Sequence, residues 1–130
     1  MQNAYGFGKT VALDFDAALA KVTQGLSQEG FGILTEIDVS ATMKKKLGKD
    51  MPPYRILGAC NPPFAHQAIT AEASIGLLMP CNVVVRQDGT GCVHVEFMDP
   101  KPMFDLVGKP EVAPLAAEVR ARLVRVMEAL

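Results

Sequence analysis

The stretch from Gly76 to Phe97 constrains the fold most, because it holds the clearest strand signals in the chain. Three consecutive β-branched residues, Val83-Val84-Val85, are typical of a central strand. Asp88-Gly89 follows as a turn signal, and apolar and polar residues then alternate up to Phe97. The sequence therefore predicts a β-hairpin.

The length of the hairpin loop decides which side chains share a face of the sheet. A loop of two or four residues would place Cys81, Val83 and Val85 on the face of Cys92, His94 and Glu96. A loop of three or five residues would reverse this pairing. Both alternatives are compatible with the sequence.

Outside the hairpin, the sequence predicts strands separated by helices. Asp14 is a good N-cap for a first long helix, and Gly30 can end it because glycine readily takes the left-handed conformation. In the strand that follows, alternation predicts Ile33, Thr35 and Ile37 on one face. The predicted strands are Phe7–Leu13, Gly32–Val39, Tyr54–Cys60 and the two hairpin strands. The predicted helices are 15–29, a short helix capped by Asp38 or Ser40 and ending at Lys46, Phe64–Ala73, one turn at Met103–Val107, and a long helix from Pro110 or Pro114 to Leu130.

This order predicts an α+β fold: a mainly antiparallel sheet of about five strands with the two long helices on one face. In chain order it is β-α-β-β-β-β-α, with short extra helices. The alternative is a mixed sheet with a parallel crossover between the third and fourth strands. Residues 1–130 are predicted to form a single domain, long enough to bury a core without disulfides or metal.

Composition excludes several classes of function. The net charge of −1, two tyrosines and no tryptophan argue against nucleic-acid binding, which relies on basic and aromatic surfaces. No apolar run approaches the roughly 20 residues that span a bilayer, and the first residues do not resemble a signal peptide. Three cysteines without a Cys-x-x-Cys pair are typical of reduced thiols, so we expect a cytoplasmic protein.

The candidate site combines Cys60-Asn61, at the end of the third strand, with Pro80-Cys81-Asn82, at the start of the fourth. Antiparallel neighbours would bring the two groups together, whereas a parallel crossover would separate them. A helix beginning after Asn61 would favour a reactive thiolate at Cys60, because a helix N-terminus lowers the pKa of a nearby thiol. Alternatively, the cysteines are small buried apolar residues and the asparagines bond loop amides.

Three active hypotheses use this region. In the first, a redox or sulfur-carrier protein would use Cys60 and Cys81 as nucleophile and resolving thiol. In the second, a small ligand would occupy a pocket between sheet and helices. The residues expected to line that pocket are Leu57, Phe64, Met79 and Met103. In the third, His66 or His94 would bind a metal or haem together with a cysteine.

The metal hypothesis is the weakest of the three. Cys92-x-His94-x-Glu96 offers three ligand types on one face of a strand, but alternate strand residues lie about 7 Å apart. A bound ion needs its ligands to converge within about 2.3 Å. We therefore predict no metal site, and the sequence leaves any cofactor open.

Three segments, Phe31–Asp38, Tyr54–Pro62 and Gly76–Val85, together resemble the DUF302 family of domains of unknown function. The resemblance implies a two-layer domain in which a curved antiparallel sheet carries its helices on one face, often as a homodimer. It implies no established reaction. The positions that match the family motif are Asp38, Lys46, Cys60, Asn61, Pro80, Cys81 and Asn82.

The preferred hypothesis is a cytoplasmic homodimer that binds a small molecule or serves as an accessory module. The alternative is a thiol-dependent redox or sulfur-carrier protein. We also expect that Asp38 and Lys46 can form a salt bridge across a short helix. The predicted ligand-binding residues are Asp38, Lys46, Tyr54, Cys60, Asn61, Pro80, Cys81 and Asn82.

Overall fold

The computed structural model describes all 130 residues and contains five strands and five α-helices. The strands are β1 (Gly6–Val11), β2 (Gly32–Asp38), β3 (Tyr54–Cys60), β4 (Cys81–Gln87) and β5 (Val93–Met98). The helices are α1 (Phe15–Gln28), α2 (Val39–Leu47), α3 (Pro62–Ala71), α4 (Pro100–Asp105) and α5 (Ala113–Glu128), and a 3-10 helix covers Ala73–Leu78. None of the helices is long and apolar enough to cross a membrane.

The strands form one sheet in the order β1-β5-β4-β3-β2, and every neighbouring pair is antiparallel. The predicted α+β fold is confirmed, and the alternative with a parallel crossover is wrong. The long helices α1 and α5 pack on one face, where Leu26 and Leu123 are fully buried against Val83, Val95 and Phe97 of the sheet. We call this side the core face and the opposite side the open face.

The hairpin loop contains five residues, because β4 ends at Gln87 and β5 begins at Val93. Val83 therefore lies opposite Phe97, and both are buried on the core face. His94 and Glu96 point to the open face. Of the two alternatives that the sequence allowed, the structure has the loop with an odd number of residues.

A β-bulge at Leu34 interrupts the alternation of β2. Ile33 lies opposite Ala59, whereas Thr35 lies opposite Gly58, the next residue along β3. Consecutive strand residues point to opposite faces, so Ile33 faces the core and Thr35 does not. The prediction that these two residues share a face is wrong.

Both predicted signals at the ends of α1 are confirmed. The Asp14 carboxylate accepts a hydrogen bond of 2.8 Å from the amide of Ala17. Gly30 has a φ of 86°, and the Phe31 amide folds back to donate to the Leu26 carbonyl at 2.9 Å. This pattern is a Schellman motif, and it buries Phe31 at the end of the helix.

Prolines shift two of the predicted boundaries. Helix α3 begins at Pro62 instead of Phe64, and α4 at Pro100 instead of Met103, because the first turn of a helix does not need the missing amide. Pro114 occupies the first turn of α5 in the same way. Residues 76–78, predicted as part of the hairpin strand, belong to the 3-10 helix.

Candidate functional site

The register of β3 and β4 brings Cys60, Asn61 and Cys81 together, because Ala59 lies directly opposite Cys81. All three residues line one cavity of about 30 Å³, which we call the sulfur cavity. A volume of this size holds about one water molecule and no organic ligand. The other lining residues are apolar: Phe31, Ala59, Phe64, Ala65, Ala68, Met79, Phe104, Leu115 and Val119.

Burial makes both thiols of the sulfur cavity harder to ionise. It raises the pKa of Cys60, and it raises the pKa of Cys81 to about 12, with a smaller contribution from the charge of Cys60. A lowered pKa at Cys60 was expected from the start of α3. Pro62 and Pro63 occupy the first two positions of that helix and offer no N–H group to a thiolate, so desolvation dominates.

Asn61 has a structural role at the end of α1. Its side-chain amide donates a hydrogen bond of 3.4 Å to the Glu29 carbonyl, and Arg122 donates one of 3.0 Å to the same oxygen. The Arg122 guanidinium also lies 5.2 Å from the centre of the Phe64 ring. Asn61 therefore joins α1 and α3 through its side-chain amide.

Tyr54 and Asn82 lie away from the thiols, on the open face of the sheet. They line a second depression of about 380 Å³, which we call the open-face groove. Its other lining residues are Met1, Asn3, Tyr5, Gly6, Val84, Glu96, Phe97, Met98 and Met103. The predicted ligand-binding residues are thus divided between two sides of the sheet.

The pocket predicted between sheet and helices does not form as expected. Phe64 and Met79 line the sulfur cavity, Met103 lines the open-face groove, and the buried Leu57 borders an open surface depression beside α1. Pro80 packs against Gly58, where an added Cβ would come within 2.8 Å of the proline ring.

Asp38 and Lys46 line neither the sulfur cavity nor the open-face groove. The Asp38 carboxylate caps α2 by accepting from the Ala41 amide at 2.9 Å, and it pairs with the Arg55 Nε at 3.2 Å. The first of these contacts is the main reason why the pKa of Asp38 is lowered. The predicted pair between Asp38 and Lys46 is therefore wrong.

A comparison with known protein families identifies the family of this chain. The model of a family described as a domain of unknown function, DUF302, matches residues 7–130. The chain belongs to the DUF302 family. This confirms the resemblance noted in the sequence, and the family description names no reaction.

A solved DUF302 structure has the same fold. The crystal structure of an uncharacterized conserved DUF302 protein from Bacillus stearothermophilus is 25% identical in sequence and has a TM-score of 0.88. The match covers 97% of this chain and 98% of that chain. Among curated proteins, none matches this chain.

His94 of this DUF302 domain uses both ring nitrogens in hydrogen bonds. Nε2 lies 2.7 Å from the Asp88 carboxylate, and Nδ1 lies 3.0 Å from the Thr10 hydroxyl. A carboxylate only accepts, so Nε2 carries a proton, and in the neutral imidazole Nδ1 accepts from the Thr10 hydroxyl. Cys92 lies exposed in the hairpin loop, outside β5, and His66 is exposed on α3. The metal or haem site predicted from a histidine and a cysteine therefore does not form at His66 or at His94.

The pH dependence of stability is expected to reveal the role of Asp88. Hydrogen bonds from His94 and Thr90 lower the pKa of this carboxyl, so the ionised form stabilises the fold above the unfolded pKa of about 4 and loses this effect as the pH falls. We expect Asp88→Asn to lower the melting temperature at pH 7, and the difference from wild type to shrink steadily below about pH 4. Thermal melting, monitored by circular dichroism, measures the melting temperature at pH 7 and its difference from wild type at lower pH.

Asp105→Asn is the matched control, because Asp105 pairs only with the exposed Lys101 on the surface of α4. Its melting temperature is expected to stay close to that of wild type. A difference for Asp88→Asn that stays constant down to pH 2 would contradict the role of the ionised carboxylate.

Sequence reasoning missed most of the open-face groove. Asn3 and Tyr5 precede β1 and Met98 ends β5, so no segment of the sequence contains them together. The available signal was the alternation within β4, which turns Asn82 and Val84 away from the core face that Val83 occupies.

Proposed function

We propose that this DUF302 domain binds a small, mostly apolar, neutral molecule in the open-face groove. The observation that carries the proposal is the size and lining of the groove. Its volume of about 380 Å³ falls within the range of roughly 300–1,000 Å³ that small-molecule sites occupy. The sulfur cavity is too small for such a ligand.

The lining of the groove supports a neutral ligand. Val84, Met98 and Met103 offer apolar contacts, and Tyr54 adds an aromatic side chain. Glu96 is the one lining residue with a charged side chain, and it is neutralised by Arg86, whose Nε lies 2.6 Å from the carboxylate. Asn82 is exposed and supplies both a donor and an acceptor for orienting a ligand.

The thiol-dependent alternative has no comparable support. A nucleophilic thiol needs a substantial thiolate fraction, and burial raises the pKa of both Cys60 and Cys81. We also propose a cytoplasmic location, because a reducing compartment keeps such cysteines as thiols.

Binding of the neutral apolar dye Nile red tests the groove. We expect the dye to bind saturably to one site per chain, and its fluorescence measures the binding. Val84→Arg places a large charged side chain in the groove and should weaken binding by at least about tenfold, or roughly 1.4 kcal/mol.

Leu77→Arg is the matched control, because Leu77 is an apolar residue with 89% exposure outside the groove. Dye that binds nonspecifically to exposed apolar side chains would respond to this change as well. Equal binding by wild type and Val84→Arg, with both variants folded by circular dichroism, would rule out the groove as the site.

We further propose that the domain forms a homodimer through β2. This strand is at the end of the sheet, so one side of its backbone has no neighbouring strand, and Leu34 and Ile37 are 66% and 48% exposed. Unpaired edges with exposed apolar residues favour pairing with another chain, and lysine on such an edge opposes it. Ile37→Lys is therefore expected to shift a dimer to a monomer in sedimentation velocity, while Leu77→Lys leaves it unchanged.

A further inference from the structure

Three side chains outside the lining of the groove, those of Thr10, His94 and Asp88, are joined by hydrogen bonds. Thr10 on β1 lies directly opposite His94 on β5, and its Oγ1 lies 3.0 Å from Nδ1 of the ring. Nε2 of the same ring lies 2.7 Å from the carboxylate of Asp88 in the hairpin loop. A hydroxyl, an imidazole and a carboxylate joined in this order are the arrangement that activates a nucleophile in many hydrolases.

The hairpin loop fixes the position of the Asp88 carboxylate. One carboxylate oxygen accepts from the Thr90 amide at 2.9 Å, from the Thr90 hydroxyl at 2.6 Å and from the Cys92 amide at 3.1 Å. The other oxygen is left for His94. Asp88 therefore holds the ring with its proton on Nε2, so that Nδ1 of the neutral imidazole can accept a proton from Thr10.

Thr10 is exposed on an edge strand of the sheet and has a free backbone amide. The Gly8 amide donates to the Met1 carbonyl at 2.9 Å, so it points away from β5. Strand amides two residues apart point in the same direction, so the Thr10 amide also points away from β5. An amide on the residue that carries the nucleophile can donate to the oxyanion that forms when its hydroxyl attacks a carbonyl group.

The open-face groove reaches close to these side chains. Glu96 lines the groove and lies two residues from His94 on the same face of β5, which is about 7 Å along the strand. Across the sheet, Tyr54 also lines the groove and lies opposite Arg86, and Arg86 lies opposite His94. A molecule bound in the groove can therefore extend to the Thr10 hydroxyl.

We propose that Thr10, His94 and Asp88 cleave esters of small apolar carboxylic acids bound in the open-face groove. Thr10 is the nucleophile, His94 is the general base and acid, and Asp88 is a positioning residue that acts through the ring. The inference rests on the proposed function for the place of the substrate. An ester suits this site better than an amide, because an alcohol leaves with less help from a general acid than an amine does.

The reaction proceeds in two steps. Thr10 Oγ1 forms a bond to the ester carbon, its proton passes to His94 Nδ1, and the carbonyl π electrons move to the oxygen that faces the Thr10 amide. Collapse of this intermediate breaks the bond to the leaving group, which takes the proton from His94 and departs as an alcohol. Water then attacks the acyl-threonine with His94 as base, which releases the carboxylic acid and restores the Thr10 hydroxyl.

The test is hydrolysis of p-nitrophenyl acetate by the full chain, with peptide mass spectrometry of the quenched wild-type protein. We expect an acetyl group on Thr10. Thr10→Val and His94→Gln should each lower the rate at least about 100-fold, the usual contribution of a general base, and Thr10→Ser should keep it. His66→Gln is the matched control and should react as wild type does, because His66 is exposed on α3 and has no carboxylate partner.

Asp88→Asn separates positioning of the ring from a merely structural role. An asparagine amide can donate to Nε2, which leaves the proton on Nδ1, where it cannot take one from Thr10. We expect kcat to fall at least about tenfold while KM stays unchanged. A normal kcat in this variant, with its fold verified by circular dichroism, would overturn the role of Asp88.

A second ester, p-nitrophenyl hexanoate, separates the triad from the groove. We expect its kcat/KM to exceed that of the acetate ester by at least about tenfold, and Val84→Arg to remove most of this preference. Acetyl groups on lysines alone, or equal rates for wild type and Thr10→Val, would overturn the triad. An acetyl group on Thr10 without any preference for hexanoate would support the triad and overturn the groove as the site of the substrate.

Discussion

Gly8→Ala is expected to destabilise the domain by about 3 kcal/mol, near the upper end of the usual cost of overpacking. An added Cβ at Gly8 would collide with the Val95 carbonyl oxygen and lie 2.8 Å from the Glu96 Cα. Both obstacles are backbone atoms of β5, so no side chain can rotate out of the way. Strand β1 would have to move away from β5 and weaken the hydrogen bonds that join them.

Urea unfolding measures this loss, and Gly32→Ala provides a matched control. Gly32 is also a strand glycine, but nothing lies within 4 Å of the position of its Cβ. We expect its free energy of unfolding to change by less than about 0.5 kcal/mol. Equal losses in the two variants would show that the close approach of β1 and β5 is not the cause.

Phe97→Ala is expected to lower the free energy of unfolding by about 3–5 kcal/mol, the usual range for a large buried aromatic residue. Phe97 is 1% exposed, and its ring is stacked on that of Phe7 with 5.7 Å between the ring centres. Its removal leaves a cavity at the centre of the core face. Urea denaturation with an unchanged slope would confirm that stability, and not the unfolded state, has changed.

A double-mutant cycle with Phe7→Ala separates the ring contact from the burial of each ring. We expect a coupling free energy of about 1 kcal/mol between the two positions. Leu77→Ala serves as the control for loss of an apolar side chain, because Leu77 is 89% exposed and should change stability by less than about 0.5 kcal/mol. A loss below about 1 kcal/mol for Phe97→Ala would contradict its central position in the core.

Local signals in the sequence were sufficient to predict most of the fold. Asp14 and Gly30 bound α1 as predicted, because capping depends only on residues within a turn of the helix end. The bulge at Leu34 could not be predicted in this way. It depends on how β2 fits against β3, and β3 lies beyond an intervening helix in the sequence.

The candidate site was predicted in part. Antiparallel pairing of β3 and β4 was enough to bring Cys60 and Cys81 together. The sequence analysis did not recognise that Cys81 and Asn82 line different cavities, although alternation along β4 requires their side chains to point to opposite faces of the sheet. The effect of Pro62 on Cys60 was also missed, because it depends on which amides the first turn of α3 lacks.

The contacts at the end of α1 have a consequence for synthesis of the protein. The Glu29 carbonyl is bonded by Arg122, which lies 93 residues later in the chain, and the Glu29 carboxylate by Arg125. On the ribosome, α1 therefore emerges long before the partners that secure its last turn. A nascent chain that has not yet reached α5 must expose the apolar core face, so we expect this domain to complete its folding only after α5 has left the exit tunnel.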